Sequence, residues 1–105
     1  MLGDPELFRD LVAMFQEDYP RLLQQIEVAM QAQNGPELKV AAHTLKGSVG
    51  VFKDPAAYDA ALSMEMVGRN LNWAAADNCW TVLQRETSRL SALLAQRAAA
   101  SSPET

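Results

Sequence analysis

The sequence has few of the residues from which metal sites and disulfides are built. It contains one histidine, His43, and one cysteine, Cys79, among 105 residues. A structural zinc ion needs four nitrogen or sulfur ligands and a catalytic one usually needs three protein ligands, so we expect no metal site. One cysteine cannot form an internal disulfide. Because Cys79 has no close basic neighbour in the sequence, we expect a structural, unreactive thiol.

Long apolar runs and a surplus of positive charge are also missing. No segment approaches the roughly 18 apolar residues of a membrane-spanning helix, and residues 1–4 lack the basic flank and apolar run of a signal peptide. The formal net charge is −4, whereas nucleic-acid binding needs a basic face. We therefore expect a soluble, cytoplasmic domain that contacts neither membrane nor nucleic acid. Whether a longer parent protein is anchored in a membrane stays open.

Glycine and proline occur only five times each, and between them apolar residues recur at intervals of three and four. This period indicates helices, so the predicted fold class is all-α. The chain is long enough for one domain. We predict a first helix that starts at Asp4-Pro5, is kinked or broken near Pro20 and ends at Asn34-Gly35. The second helix should run from Pro36 to about Phe52.

The rest of the chain continues this pattern. Asp54-Pro55 supplies the cap and first turn of a third helix, which should close near Asn70 to Asn72. Near-heptad apolar steps mark a fourth helix from Trp73, and short connections then imply an antiparallel four-helix bundle. From about residue 98 the small polar residues predict a disordered tail, which looks like the cut edge of a longer polypeptide. Other large side chains should anchor the core or fill its gaps: Trp73, Trp80, Met14, Met30, Met64 and Met66.

The second helix holds the chemically distinctive residues. A helical wheel at about 100° per residue places one set on a buried side: Leu38, Ala42, Leu45, Val49 and Phe52. The opposite side, which should face solvent, carries His43, Lys39, Lys46, Gly47 and Gly50, with Lys53 at its edge if the helix extends so far. The chain has only three lysines, Lys39, Lys46 and Lys53. An otherwise acidic protein therefore keeps its lysines for one helix face.

Gly47 and Gly50 remove side-chain bulk one and two turns beyond His43. A glycine inside a helix costs about 1 kcal/mol relative to alanine, so the pair weakens the helix locally. We interpret this loss as access for a large partner to the imidazole. Taken singly, the histidine is typical of an inert surface residue, the lysines of a solvated face and each glycine of a packing contact.

Together these residues favour a histidine that anions can reach. A neutral imidazole has a nitrogen lone pair that can attack an electrophile, and neighbouring cations attract an anion. Attack on a phosphoryl group fits both features, because the protein then mainly positions the reactants and balances charge. Lys46, one turn beyond His43, is the candidate for that balancing role. Helical periodicity alone indicates no more than a histidine that anions can reach.

The segment from Ala42 to Gly50, AHTLKGSVG, resembles the signature of histidine-containing phosphotransfer (HPt) domains, the carriers of multistep two-component relays. The similarity covers nearly the whole chain, from the Phe15 region and its downstream proline to Met64-Glu65 and the long last helix. It implies a four-helix bundle whose exposed histidine accepts a phosphoryl group from the aspartate of one receiver domain and passes it to that of another.

By this resemblance His43 is the phosphoacceptor, Lys46 balances the phosphoryl charge and Gly47 gives the partner access. Ser48 and Gly50 match less diagnostic positions of the signature. After the motif many members have glycine followed by a small residue, whereas this chain has Lys53-Asp54, which leaves partner choice open.

The resemblance also implies what binds the domain and what does not. The chain contains neither GxGxxG nor GxxxxGK[ST], so we expect a phosphoryl carrier without an ATP site of its own rather than an enzyme. The expected partners are response-regulator receiver domains, which dock transiently and supply the aspartate and its Mg²⁺. This domain itself should bind no cofactor.

Three interpretations stay open. The first is a relay intermediate, either free-standing or the end domain of a hybrid sensor kinase. The second is the phosphoacceptor domain of a chemotaxis-type histidine kinase, in which a catalytic domain loads His43 from ATP. The third is a four-helix adaptor without phosphoryl chemistry, whose partner binding would survive His43→Gln. A metal or haem bundle is disfavoured, because one histidine provides too few ligands.

Overall fold

A computed structural model describes residues 4–100 of the chain. It contains four α-helices, α1 (Pro5–Gln31), α2 (Gly35–Gly50), α3 (Pro55–Asn70) and α4 (Ala76–Ala100), and one 3-10 turn, Trp73–Ala75. Residues 4–100 contain no strand, so the predicted all-α class is confirmed.

Three of the helices start at a side-chain cap followed by proline in the first turn. Asp4 and Asp54 each accept a hydrogen bond from a backbone N–H of the first turn at 3.0 Å, as the sequence predicts. Asn34 accepts an equivalent bond at 3.2 Å and therefore begins α2. The predicted end of the first helix at Asn34-Gly35 is wrong, since α1 ends at Gln31.

Pro20 lies inside α1, and the helix continues on both sides of it. Proline has no N–H to donate to the carbonyl four residues earlier, so the sequence predicts either a kink or a break at this position. The continuous helix excludes the break. Phe15 before the proline and Ile26 after it are both buried, and these tertiary contacts stabilise the two halves of the helix.

The second helix is shorter than predicted. It begins at Gly35 and ends at Gly50 rather than near Phe52. Lys53 has a φ of 55°, in the left-handed region, and lies in the turn that leads into α3. The possible extension of the helix to Lys53 is therefore excluded.

The last helix also differs from the prediction at both ends. Trp73 begins a 3-10 turn, and α-helical geometry starts only at Ala76. The helix then continues to Ala100, so residues 98–100 are helical and not part of a disordered tail. Residues 101–105, the rest of the predicted tail, lie outside the described residues.

The helices pack in cyclic order, each against the next and α4 against α1. The short connections between consecutive helices make neighbours antiparallel, so the predicted four-helix bundle is confirmed. Its core contains fully buried side chains from every helix: Ile26, Leu38, Leu45, Val49, Met64, Leu83, Leu90 and Leu94.

The tryptophans and methionines differ in burial. Trp73 and Trp80 are partly buried and pack against the core. Of the methionines expected to fill gaps, Met64 is buried and Met30 is partly buried, but Met14 and Met66 are exposed, so the prediction is wrong for these two. Cys79 is partly buried, and this burial raises the pKa of its thiol, as expected of an unreactive cysteine.

Helices α2 and α3 cross closely at two buried glycines, Gly35 and Gly68. A Cβ atom at Gly68 would lie 2.7 Å from the backbone N of Lys39 and 2.8 Å from the carbonyl O of Gly35. Contacts this short exclude any side chain, so the close approach of the two backbones requires glycine. Because the helices are antiparallel, this crossing places Glu65, one turn before Gly68, beside the residue one turn after Lys39, which is His43.

Candidate functional site

His43 lies in the middle of α2 with its side chain 67% exposed. Four residues on the other side of the helix are fully buried: Leu38, Ala42, Leu45 and Val49. Burial of this apolar stripe against the bundle turns the opposite face of α2 toward solvent. The predicted exposure of the histidine on the second helix is therefore confirmed.

A buried carboxylate from α3 contacts the imidazole. Glu65 Oε2 lies 3.2 Å from His43 Nδ1, and Glu65 Oε1 lies 2.9 Å from Lys46 Nζ. The Glu65 side chain is only 6% exposed. One carboxylate thus bridges the two residues that the sequence singled out for phosphoryl chemistry.

Glu65 stays ionised in this position. Burial raises the pKa of its carboxyl group, but hydrogen bonding and charge interaction with Lys46 and His43 outweigh burial, and the net pKa is lowered. At neutral pH the group is therefore a carboxylate, which can only accept hydrogen bonds.

The charge on Glu65 determines the tautomer of His43. Because a carboxylate has no proton to donate, the 3.2 Å contact requires Nδ1 to carry the proton and donate it. In the neutral ring the lone pair then belongs to Nε2. The site therefore presents Nε2 as its nucleophilic atom.

Lys46 is held against the bundle more closely than the helical wheel suggests. Its side chain is 17% exposed, because Nζ pairs with Glu65 and lies 5.8 Å from the centre of the Tyr58 ring. The alternative interpretation of the lysines as a solvated face is excluded for Lys46. The ammonium group instead has a fixed position one turn from His43.

The other two lysines do not extend this arrangement. Lys39 is exposed on α2, one turn before His43, and Lys53 is exposed beyond the end of the helix. The predicted stripe of three lysines on a single helix face is wrong, because α2 ends at Gly50.

The two glycines of the helix have different surroundings. A Cβ atom at Gly47 would have no neighbour within 4 Å, so the space beside this residue is open. A Cβ atom at Gly50 would lie 3.6 Å from the Tyr58 ring, in ordinary van der Waals contact. Open space next to the imidazole is therefore a property of Gly47, whereas Gly50 faces α3.

Ser48 is half-buried at a groove between α1 and α2. The groove is lined by Leu11, Met14, Phe15, Asp18, Ser48, Val51 and Phe52. Met14 and Val51 are exposed there, at 57% and 51%. An apolar strip therefore adjoins the face that carries His43.

Compared with protein-family models, the chain matches the Hpt domain over residues 10–99. The chain belongs to the Hpt domain family. The matched residues include most of α1, all of α2 and α3, and nearly all of α4. No curated protein and no solved structure matches the chain. Membership implies histidine phosphotransfer in two-component signalling and interaction with response-regulator receiver domains.

Glu65 belongs to the site of this Hpt domain, although no role for it was predicted from the sequence. It lies on the apolar stripe of α3, one turn after Ala61 and one turn before Gly68, where a charged residue is unexpected. An ionised side chain is seldom buried without a partner. That conflict is a signal that α3 contributes a charged group to a neighbouring helix, although it does not identify His43 and Lys46 as its partners.

The described part of this Hpt domain contains neither a metal-binding cluster nor a membrane-spanning helix. Within residues 4–100 no group of three or more His, Cys, Asp or Glu side chains is placed to hold a metal ion. None of the helices in this range is long and apolar enough to span a membrane.

Proposed function

We propose that this Hpt domain is a phosphorelay intermediate, in which His43 accepts a phosphoryl group from a receiver aspartate and transfers it to the aspartate of another receiver. The observation that supports this most directly is the bridge from Glu65 to both His43 and Lys46. The bridge fixes an exposed imidazole with Nε2 free and keeps a cation nearby.

In the proposed transfer step one bond forms, one bond breaks and no proton moves. The Nε2 lone pair attacks phosphorus, an N–P bond forms, and the bond between phosphorus and the aspartyl oxygen breaks. The electron pair of that bond stays on the aspartate carboxylate. Transfer to the second receiver is the reverse of this step, with the new aspartate as nucleophile.

Lys46 balances the negative charge of the phosphoryl oxygens in this scheme. Phosphoryl transfer depends mainly on position and charge compensation, and both require a cation near the attacked group. The contact with Glu65 keeps the lysine side chain close to His43 before the partner arrives. Lys39 and Lys53, both exposed, add positive charge around the docking face.

The receiver approaches over Gly47, where the structure leaves open space. The apolar groove beside Ser48 extends the same face toward α1 and enlarges the surface available for transient docking. Mg²⁺ is expected on the receiver and neutralises charge there. In this proposal the Hpt domain contributes the nucleophile, the cation and the docking surface, functions in the cytoplasm and has no ATP site of its own.

A two-receiver relay assay tests the proposal. A receiver carrying labelled phosphate is mixed with the Hpt domain and then with a second, unlabelled receiver. We expect the label to reach the second receiver with the wild type and with the control variant Thr44→Ala, which changes an exposed neighbour on α2. The variant His43→Gln should block the second receiver from acquiring label.

The same assay separates the alternatives. Label that enters only from ATP through a histidine kinase catalytic domain would contradict the relay and favour a kinase-loaded acceptor. Partner binding that persists in His43→Gln, with no label on the wild type from any donor, would favour an adaptor without phosphoryl chemistry.

A further inference from the structure

Lys46 rests away from the place where the proposed function needs its charge. Its Nζ lies 2.9 Å from Glu65 Oε1, and the side chain is only 17% exposed. The phosphoryl group instead bonds to Nε2 of His43, the ring nitrogen on the side away from the 3.2 Å contact with Glu65. The ammonium group must therefore turn outward when the phosphoryl group arrives. Because lysine has a flexible four-carbon stem, this movement needs a second contact to guide it.

The ring of Tyr58 supplies a second contact for Lys46. Nζ lies 5.8 Å from the centre of the ring, within the range of about 6 Å over which an aromatic face attracts a cation. Tyr58 lies on α3 two turns before Glu65, so the two contacts start from positions about 10 Å apart along one helix. The ring can therefore keep the ammonium group near the site after it has left the carboxylate.

Gly50 gives the Tyr58 ring its place against α2. A Cβ atom at Gly50 would lie 3.6 Å from Cδ2 and Cε2 of the ring, so the ring rests on the backbone at the end of this helix. A side chain longer than that of alanine would occupy the position of the ring. Tyr58 is nevertheless 39% exposed. The ring is therefore supported by α2 at the edge of the site and is not a buried core residue.

We propose that Tyr58 is a positioning residue, whose ring holds the ammonium group of Lys46 beside the phosphoryl group during transfer. This inference deepens the proposed function and rests on it. An aromatic face suits the task because it attracts a cation and carries no net charge. A second carboxylate in its place would neutralise the lysine and repel the phosphoryl oxygens.

The ring should act on the rate of transfer more than on docking. A cation that is already in place when charge develops on the phosphoryl oxygens stabilises the transition state without further reorganisation. A free lysine loses rotamer freedom when it becomes ordered, and the contact with Tyr58 removes part of that loss from the transfer step. Without the ring, Lys46 keeps its charge but must be ordered during transfer.

Transfer from a phosphorylated receiver to Tyr58→Leu tests this proposal. Leucine is a good helix former and Tyr58 is half-exposed, so the variant should fold. The maximal rate should fall about 3- to 10-fold, while the receiver concentration that gives half of that rate should not change. Tyr58→Phe keeps the ring and should stay within about twofold of the wild-type rate. An equal loss in both variants would overturn the proposal, because the hydroxyl group would then be responsible.

A double-mutant cycle with Lys46→Met separates positioning of the lysine from other roles of the ring. If Tyr58 acts through Lys46, Tyr58→Leu should slow transfer no further once the lysine is absent. A loss by the same factor in both backgrounds would overturn the proposal. A change confined to the half-saturating receiver concentration would also overturn it, because Tyr58 would then be a docking contact.

Gln84→Leu is the matched control for Tyr58→Leu. It introduces the same side chain at an exposed position of α4, which packs against α1 and α3. The maximal rate and the half-saturating concentration should both be those of the wild type. A loss in Gln84→Leu as large as that in Tyr58→Leu would overturn the proposal, since any exposed leucine would then have the effect.

Phosphoramidate separates this inference from the proposed function, because this small donor requires no receiver. Nε2 of His43 attacks its phosphorus, a new N–P bond forms, and ammonia leaves with the electron pair of the broken bond. Loading should be slower in Tyr58→Leu than in the wild type, and only while Lys46 is present. Equal loading rates would overturn the role of Tyr58 and leave the relay intact. Absence of transfer from every receiver would contradict the proposed function, whereas slower loading from phosphoramidate would still support the contact between Tyr58 and Lys46.

Discussion

His43 and Lys46 lie one turn apart on α2, and a single residue of α3 contacts both. The two α2 residues could be predicted from the sequence, because the helical period and the local motif place them together. The contact with Glu65 could not, since it depends on the register of α3 against α2. That register is determined by the backbone approach at Gly35 and Gly68, which neither helix reveals by its own pattern.

Burial predicts losses of stability that differ greatly between two neighbours on α2. Leu45 is fully buried, so Leu45→Ala should lower the free energy of unfolding by about 2 to 5 kcal/mol. His43 is exposed and loses one hydrogen bond on substitution, so His43→Gln should cost less than about 1 kcal/mol. Urea unfolding of both variants measures this, and the reverse order would contradict the orientation of α2.

Glycine at position 47 should make α2 less stable than alanine would, without preventing the domain from folding. Because a Cβ atom there meets nothing within 4 Å, Gly47→Ala should raise the free energy of unfolding by up to about 1 kcal/mol. The added methyl group occupies the space that the receiver needs, so transfer from a receiver should slow. Thermal unfolding and transfer rates test the two effects separately, and transfer at or above the wild-type rate would refute the access role.

The close crossing of α2 and α3 holds the site together. The helix starts at Asp4 and Asp54 were predictable, because a capping side chain and a following proline act locally. The ends of the helices were harder to predict from the sequence. The end of α2 at Gly50 and the left-handed turn at Lys53 follow from how the chain must turn to pack α3, which is a tertiary constraint.

A methyl group at the crossing should disrupt both packing and the site. In Gly68→Ala the new Cβ atom would lie 2.7 Å from the backbone N of Lys39, so the helices must separate. We expect a loss of about 1 to 3 kcal/mol in the free energy of unfolding and slower transfer, since Glu65 moves with α3. Gly47→Ala, the same substitution in open space, is the matched control. Wild-type stability in Gly68→Ala would contradict the described crossing.

In the molecule as a whole, one ion pair connects the turn after α2 to the last helix. Arg89 on α4 contacts Asp54 at 2.6 Å and Glu86 at 2.8 Å. Burial raises the pKa of the Asp54 carboxyl, but its bonds to Arg89 and to the backbone N–H groups of α3 outweigh burial, so the net pKa is lowered. The all-α bundle itself was predictable from the apolar period, whereas this connection between distant segments was not.

The lowered pKa values of Asp54 and Glu65 predict acid sensitivity. Each group has a lower pKa folded than unfolded, so its contribution to stability is present above the unfolded pKa, about 4, and is lost as pH falls through the folded value. Asp54→Asn keeps a capping side chain but loses the charge.

Urea unfolding at pH 7 and at about pH 3 checks this prediction. Asp54→Asn should be less stable than the wild type at pH 7, and the difference should shrink in acid. Asp59→Asn, an exposed aspartate on the same helix, is the control and should change little at either pH. A deficit in Asp54→Asn that is the same at both pH values would contradict the contribution of the ion pair.

In the proposed mechanism, a receiver delivers its phosphoryl group to Nε2 of His43. The most direct measurement mixes a phosphorylated receiver with the ¹⁵N-histidine-labelled domain and locates the phosphoryl group by phosphorus–nitrogen coupling. We predict a signal from Nε2 of the single histidine, acid-labile and stable to base, and none in His43→Gln. A correctly folded domain that acquires no phosphoryl group from any receiver, or acquires it at another residue, would contradict this mechanism.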